Sequence, residues 1–280
     1  MNVAGLFDLT GKSVAITGGG GVLCGAIADC LASAGASVAV LDLKVEAAQV
    51  VAERINRSEP GSVNPVRAVA VAANVLDRPS LEAALEQCVQ AFAKVDILIN
   101  GAGGNVAAAT TGPDKRLFDL PIEAFKNCLD LNVIGTILPS MVFGQAMAAR
   151  GEGIILNIAS MNAFRPLTKI AAYSAAKAGV KNFTEWLAVH MAQEYSPKIR
   201  VNGIAPGFFL TEQNRFLLTD KDTGEMTPRG KTIIAHTPMG RYGAPEDLFG
   251  AVLWLCSPAS QFVTGITVPI DGGFSAFSGV

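Results

Sequence analysis

Ser13-Val14-Ala15-Ile16-Thr17-Gly18-Gly19-Gly20-Gly21 is the stretch from which the fold can be read. A short apolar run ends in glycines, and residues 22–34 then set small and apolar side chains at helical spacing. The first part predicts a buried strand and the last an α-helix. Between them, glycine permits a tight turn and a close approach to the backbone. A helix starting there aims its unpaired N–H groups and the positive end of its dipole at the turn, which suits a pyrophosphate. Gly18, Gly20 and Gly21, with Val22 and Leu23 at the helix start, are therefore candidate dinucleotide binders.

The alternation continues outward. Strands are predicted at 37–42, 66–73, 96–100, 153–160, 199–205 and 266–270, and helices at 44–57, 79–93, 121–149, 171–194 and 246–256. Strands alternating with helices imply right-handed crossovers and a parallel sheet covered on both faces. The expected architecture is one α/β domain over residues 1–280, a doubly wound Rossmann fold of about seven strands. Ligands of such sheets bind beyond the carboxyl ends of the strands, where strand order reverses. Asp42, Asn100, Ser160 and Pro206-Gly207 all fall at such ends. Two connections are longer than usual, 103–120 and 207–244. Both leave from the ligand edge, and the second is read as a substrate lid.

Composition narrows the function. Half of the 280 residues are apolar and the net charge is −2, so no broad basic surface for nucleic acid is implied. No run of about 18 apolar residues predicts a membrane span, and the first eight residues lack the pattern of a secretory signal. The five cysteines (24, 30, 88, 128 and 256) form no Cys-x-x-Cys pair, which fits free thiols in a reducing cytoplasm. With only His190 and His236, and no Gly-x-Ser-x-Gly, a histidine metal site or a hydrolase triad has little material.

Tyr173 and Lys177 lie four apart in a predicted helix and so share a face. A lysine cation near a phenol favours phenolate and is expected to draw its pKa below about 10. Such a phenol can exchange a proton with a substrate oxygen, and the Ser160 hydroxyl, thirteen residues upstream, can hold that oxygen. Asp42 ends the second strand, where a carboxylate can accept hydrogen bonds from the adenine-side ribose. The same charge repels a 2′-phosphate, which favours NAD over NADP, with Lys44 as a nearby cation acting the other way.

Thr17-Gly18, Asp42, Asn100-Gly101-Ala102-Gly103, Asn132, Ser160, Tyr173-x-x-x-Lys177, Pro206-Gly207 and Asp271-Gly272-Gly273 stand in the order and at the spacings of short-chain dehydrogenases/reductases. The chain resembles that family over essentially its whole length. The resemblance implies that Ser160, Tyr173 and Lys177 are the catalytic triad. It adds Asn132 as a fourth member, interrupting its helix and holding a water beside the lysine. It implies further cofactor contacts at Asn74, Val75, Asn100, Ala102, Gly103, Pro206, Gly207, Phe209 and Thr211, besides Tyr173 and Lys177. The chain departs from the family's Thr-Gly-x-x-x-Gly-x-Gly by carrying Val22 and Cys24 in the last two glycine positions. It also has Gly101 for the second asparagine of Asn-Asn-Ala-Gly, and Asn74 where an aspartate is common beside the adenine. A homodimer or homotetramer is implied, with contacts around 121–149 and 171–194.

The segments that skirt the substrate are polar. Asn105, Asn162, Arg165, Lys169 and Arg215, with Ser160 and Tyr173, are the candidate substrate contacts. Arginine suits a bidentate grip on a carboxylate and amides suit sugar hydroxyls, so a sugar acid fits better than a steroid or fatty acyl chain. These segments and His236-Thr237-Pro238-Met239-Gly240-Arg241 resemble family members that interconvert D-mannonate and D-fructuronate with NAD. Another polyol or sugar acid such as gluconate is the alternative, and a non-catalytic NAD-binding sensor is the reading from a different class.

Overall fold

A computed structural model describes residues 3–57, 67–210, 218, 220 and 223–279. Seven strands form one sheet: β1 (Ser13–Thr17), β2 (Ser37–Asp42), β3 (Ala68–Ala72), β4 (Ile97–Asn100), β5 (Gly153–Ile158), β6 (Ile199–Pro206) and β7 (Thr267–Ile270). Every pairing is parallel and the order is β3-β2-β1-β4-β5-β6-β7. The order reverses between β1 and β4, which opens a crevice at their carboxyl ends. This is the expected Rossmann-type α/β fold.

The apolar runs have the burial that a doubly covered sheet requires. All of β1 and β6 is buried. One face packs on α1 (Val22–Ser33), α2 (Val45–Arg57) and α8 (Phe249–Cys256), through residues such as Ile27, Leu31, Val51 and Val252. The other face packs on α3 (Arg78–Phe92), α5 (Gly135–Arg150) and α6 (Ala171–Glu194), through Leu81, Phe143, Met147 and Leu187. Asp77 caps α3 by accepting the Ser80 N–H, and Gly151 ends α5 in the left-handed conformation (φ 74°).

The predicted helix over 121–149 is interrupted. It consists of α4 (Ile122–Leu129), a π-turn at Asp130–Ile134, and α5. Together they are long and apolar enough to cross a bilayer, but half of the apolar window is buried within the protein. The third strand begins at Ala68, and Val66 lies outside the described residues. The 103–120 connection holds two short 3-10 turns, Ala107–Ala109 and Leu117–Asp119. The 207–244 excursion contains α7 (Pro228–Ala235), and a bridge between Phe209 and Gly243 ties its two ends together.

Phe143 is fully buried and among the largest side chains of the α5 face. Phe143→Ala is expected to destabilise the protein by roughly 3–5 kcal/mol, read as a lower denaturant midpoint in equilibrium unfolding.

Candidate active site at the strand ends

A cleft of about 380 Å³ lies at the crevice, lined by Gly18, Gly21, Val22, Leu23, Asp42, Ala102, Gly103, Ser160, Tyr173, Lys177, Pro206 and Gly207. Cys24, Gly101, Ile158 and Ala159 complete the lining. The turn after β1 forms its floor. Gly18 has φ +64°, and a Cβ there would sit 2.8 Å from Ala102 Cα, so no side chain fits. Thr17 Oγ1 accepts the N–H groups of Gly101 (3.1 Å) and Ala102 (3.3 Å), which locks the β4 turn against the β1 turn.

The residues present fit a dinucleotide. Helix α1 starts at Val22 with no side-chain cap and no acidic residue in its first turn, so its leading N–H groups face the cleft without a partner of their own. Asp42 is half-buried at the end of β2. Its carboxylate accepts the N–H of Gly20 and of Lys44, each at 3.0 Å, and retains lone pairs for ribose hydroxyls. Gly20 itself does not line the cleft; it serves by fixing Asp42. A Cβ at Gly103 would fall 2.7 Å from Asn132 Oδ1 and 3.3 Å from Lys177 Nζ, so glycine leaves the space beside the lysine open.

Four further candidates lie away from the lining. Asn100 is buried beneath it, where Nδ2 donates to Ser140 Oγ and Asn157 Oδ1, both at 2.8 Å. Asn74 is exposed past β3, and its Oδ1 accepts the Leu76 N–H. Val75 is buried, with Cγ2 placed 3.0 Å from where a Gly135 Cβ would stand. Phe209 is buried and lines a neighbouring cavity with Phe208, Arg241 and Asp271. Thr211 lies outside the described residues.

Ser160, Tyr173 and Lys177 converge on the cleft from β5 and α6. Ser160 is hydrogen-bonded to the Tyr173 phenol. Lys177 Nζ lies 5.7 Å from the Tyr173 ring centre and donates to the Ile158 carbonyl at 2.8 Å. The expected drop in the phenol's pKa is not found in the protein alone. Burial raises it, the Ser160 hydrogen bond lowers it, and burial wins. Burial also pushes the Lys177 ammonium down to about 8, against the opposing influence of Cys24 and Cys128. Cys24 takes the place of a family glycine at the cleft wall, and burial pushes its thiol up to about 12, so it is a neutral group there.

Asn132 sits inside the π-turn, fully buried. Its side chain clamps Gly104 from both sides, accepting the N–H (3.1 Å) and donating to the carbonyl (2.8 Å). The π-turn is thus the expected helix interruption, and through Asn132 it holds the 103–104 backbone.

The substrate candidates are dispersed. Asn162 is buried and its groups are committed: Oδ1 accepts from Leu167 N–H and Ser174 Oγ, while its backbone N–H donates to Ser160 Oγ at 3.2 Å. Its carboxamide Nδ2 also donates to Ser160 Oγ at 3.4 Å, so backbone and side chain together hold the serine that lines the cleft. Asn105 is exposed and bonded to Thr110 Oγ1. Arg165 is exposed, with Nε donating to the Ser275 carbonyl at 3.1 Å. Lys169 is exposed and left-handed (φ 75°), and its carbonyl accepts the Thr111 N–H. Arg215 lies outside the described residues. The supporting parts, Cys24, Gly101 and the Ile158 carbonyl, were not among the expected site residues, because small and backbone groups carry no chemical signature in a sequence.

A family model described as enoyl-(acyl carrier protein) reductase matches residues 22–275. The chain is 49% identical over 282 residues to the uncharacterized oxidoreductase UxuB of Bacillus subtilis (strain 168), covering 98% of each. It is 33% identical to the 7alpha-hydroxysteroid dehydrogenase of Escherichia coli (strain K12), covering 95% of this chain and 94% of that one. The crystal structure of a Haemophilus influenzae protein, proposed to be a D-mannonate oxidoreductase and holding NAD, superposes with a TM-score of 0.90 at 44% identity, covering 100% of each chain. A gluconate 5-dehydrogenase from Burkholderia cenocepacia J2315, in complex with NADP and tartrate, superposes with a TM-score of 0.84 at 29% identity, covering 99% of this chain and 100% of that one. The chain belongs to the short-chain dehydrogenase/reductase family and is an oxidoreductase of CH–OH groups.

Proposed function

We propose that this protein interconverts a secondary alcohol and a ketone on a sugar acid, with D-mannonate and D-fructuronate as the pair and NAD preferred over NADP. The observation that carries the reading is the convergence of Ser160, Tyr173 and Lys177 on the cleft that also holds Gly18, the start of α1 and Asp42. The cleft residues would hold NAD, which would supply the hydride exchanged with the carbinol carbon. Tyr173 gives its phenolic proton to the substrate oxygen in reduction and removes it in oxidation. Ser160 holds that oxygen through its hydroxyl and stabilises the charge developing on it. Lys177 supplies positive charge beside the phenol while it is protonated, and Asn132 keeps the 103–104 backbone beside Lys177.

NAD preference is supported by the Asp42 carboxylate, which would repel a 2′-phosphate, and by the NAD held by the Haemophilus neighbour. The sugar-acid reading is supported by the cations Arg165 and Lys169 between Ser160 and Tyr173, and by what the two structural neighbours are named for. Gluconate is the second reading, favoured by the Burkholderia neighbour. Cytoplasmic residence is supported by five buried, unpaired cysteines. A homodimer or homotetramer is supported by exposed Met141 and Trp186 on α5 and α6, and residues 207–244 are assigned the role of lid.

A panel of uronates and aldonates, followed by absorbance of the reduced nicotinamide, tests the substrate. Turnover of an uncharged alcohol with failure of every sugar acid rejects the carboxylate reading. Tyr173→Phe is expected to lower kcat by about 100-fold or more while leaving NAD affinity within about threefold. Asp42→Ala is expected to weaken NAD binding about tenfold and to narrow the preference over NADP; unchanged selectivity removes Asp42 from the ribose site.

Lys177 gives a pH signature in stability. Its folded pKa, about 8, lies below the ordinary 10.5, so between these values the unfolded chain binds more protons. Below pH 8 both states are protonated and the burial penalty is fully felt. As pH rises from 8 to 10.5 the penalty is relieved, so wild-type stability is expected to gain on Lys177→Met across that window. Parallel unfolding curves at pH 7 and pH 9.5 that differ by the same amount would contradict this.

A further inference from the structure

Asn162 is not one of the reacting groups, yet it bears on what the Ser160 hydroxyl can do. It lies in a 3-10 turn, Met161–Ala163, which Ser160 caps. Ser160, Asn162 and Ser174 are all buried. The Leu167 N–H fixes the orientation of the Asn162 carboxamide. A backbone N–H can only donate, so the atom facing it at 3.0 Å is Oδ1. Ser174, the residue after Tyr173 on α6, donates its hydroxyl to the same oxygen at 3.2 Å. Nδ2 is thereby turned toward Ser160 and donates to Oγ at 3.4 Å. The Asn162 backbone N–H donates to that Oγ as well, at 3.2 Å.

A hydroxyl has two acceptor lone pairs and one hydrogen. Two donors from Asn162 take both lone pairs, so Ser160 has only its hydrogen left to offer in the cleft it lines with Tyr173 and Lys177. A ketone oxygen carries no proton and can only accept, so a serine that can only donate is matched to it. We propose that Asn162 is a positioning residue that holds the Ser160 hydroxyl as a donor toward the substrate oxygen and ties it to the turn of α6 that carries Tyr173. This rests on the reading of Ser160 and Tyr173 as groups that meet the substrate oxygen. The competing role is to tie the 162–167 loop alone, which needs only the two bonds that Oδ1 accepts.

Two measurements separate these roles. Asn162→Asp keeps the size of the side chain and the oxygen that holds Leu167 and Ser174, and replaces the donor at Nδ2 by an acceptor. If the amide sets Ser160 as a donor, kcat per NAD-binding site falls about tenfold or more, with NAD affinity by calorimetry changing less than about threefold. If it only ties the loop, kcat per site stays within about twofold of the wild type, and that result overturns the proposal. The second measurement places Asn162→Ala in the wild-type and the Ser160→Ala backgrounds. Acting through Ser160, it costs about tenfold in kcat in the first and less than about twofold in the second. An equal loss in both backgrounds overturns the proposal. Should Asn162→Asp not fold, the cycle with Ser160→Ala decides alone. Failure of the wild type to turn over any sugar acid or any other alcohol would instead sink the reading of Ser160 and Tyr173, so the two failures are distinguishable.

Discussion

The Thr17 hydroxyl holds the site open. It accepts two successive N–H groups, Gly101 and Ala102, from the strand on the far side of the switch point. At the amino ends Ser13 bonds Asp96, and at the carboxyl ends, where the ladder stops at Thr17 and Asn100, this seam carries the join into the turns. With it, the two turns are pressed together until only glycine fits at position 18. The seam aims α1 at the crevice and sets the Gly101–Gly103 backbone as the opposite wall.

A second constraint follows from burial. The cleft excludes water well enough to raise a phenol and to lower an ammonium to about 8. In such surroundings a charge on either group is expensive, so small changes in nearby charge have large effects. A dinucleotide brings charge of its own, and the pair's protonation in the working enzyme must be set by protein and cofactor together. The bare protein supplies geometry, a phenol raised by burial and an ammonium lowered by it; it does not supply a ready phenolate.

The fold was legible because the period of apolar residues switches cleanly between strand and helix, and glycine marks the first turn. The boundaries of β1, β2 and α6 are those the pattern gives. The π-turn around Asn132 was legible only through family likeness, since nothing in Asp130-Leu131-Asn132-Val133-Ile134 breaks helical periodicity. The sign of the Tyr173 shift was not legible, because i and i+4 spacing says that two groups are near and says nothing of how dry they are. Asn162 shows the same limit. A polar side chain between Ser160 and Tyr173 looks like a substrate contact, yet its carboxamide oxygen is taken up by Leu167 and Ser174 and its nitrogen by Ser160.

The two halves of the site therefore differ in how strongly the chain determines them. The cofactor half is made of strand ends, whose positions follow from sheet register, and of glycines, whose absence of a side chain is itself the function. The substrate half is made of connections whose polar groups first satisfy one another: Asn105 with Thr110, Arg165 with Ser275, the Lys169 carbonyl with Thr111. Each such bond fixes a loop and removes some capacity for a ligand. Arg165 keeps donors beyond Nε, because a guanidinium carries five. What distinguishes one sugar acid from another must come from the donors left over after the loops are tied, a quantity set by tertiary contacts and invisible in a list of residue types.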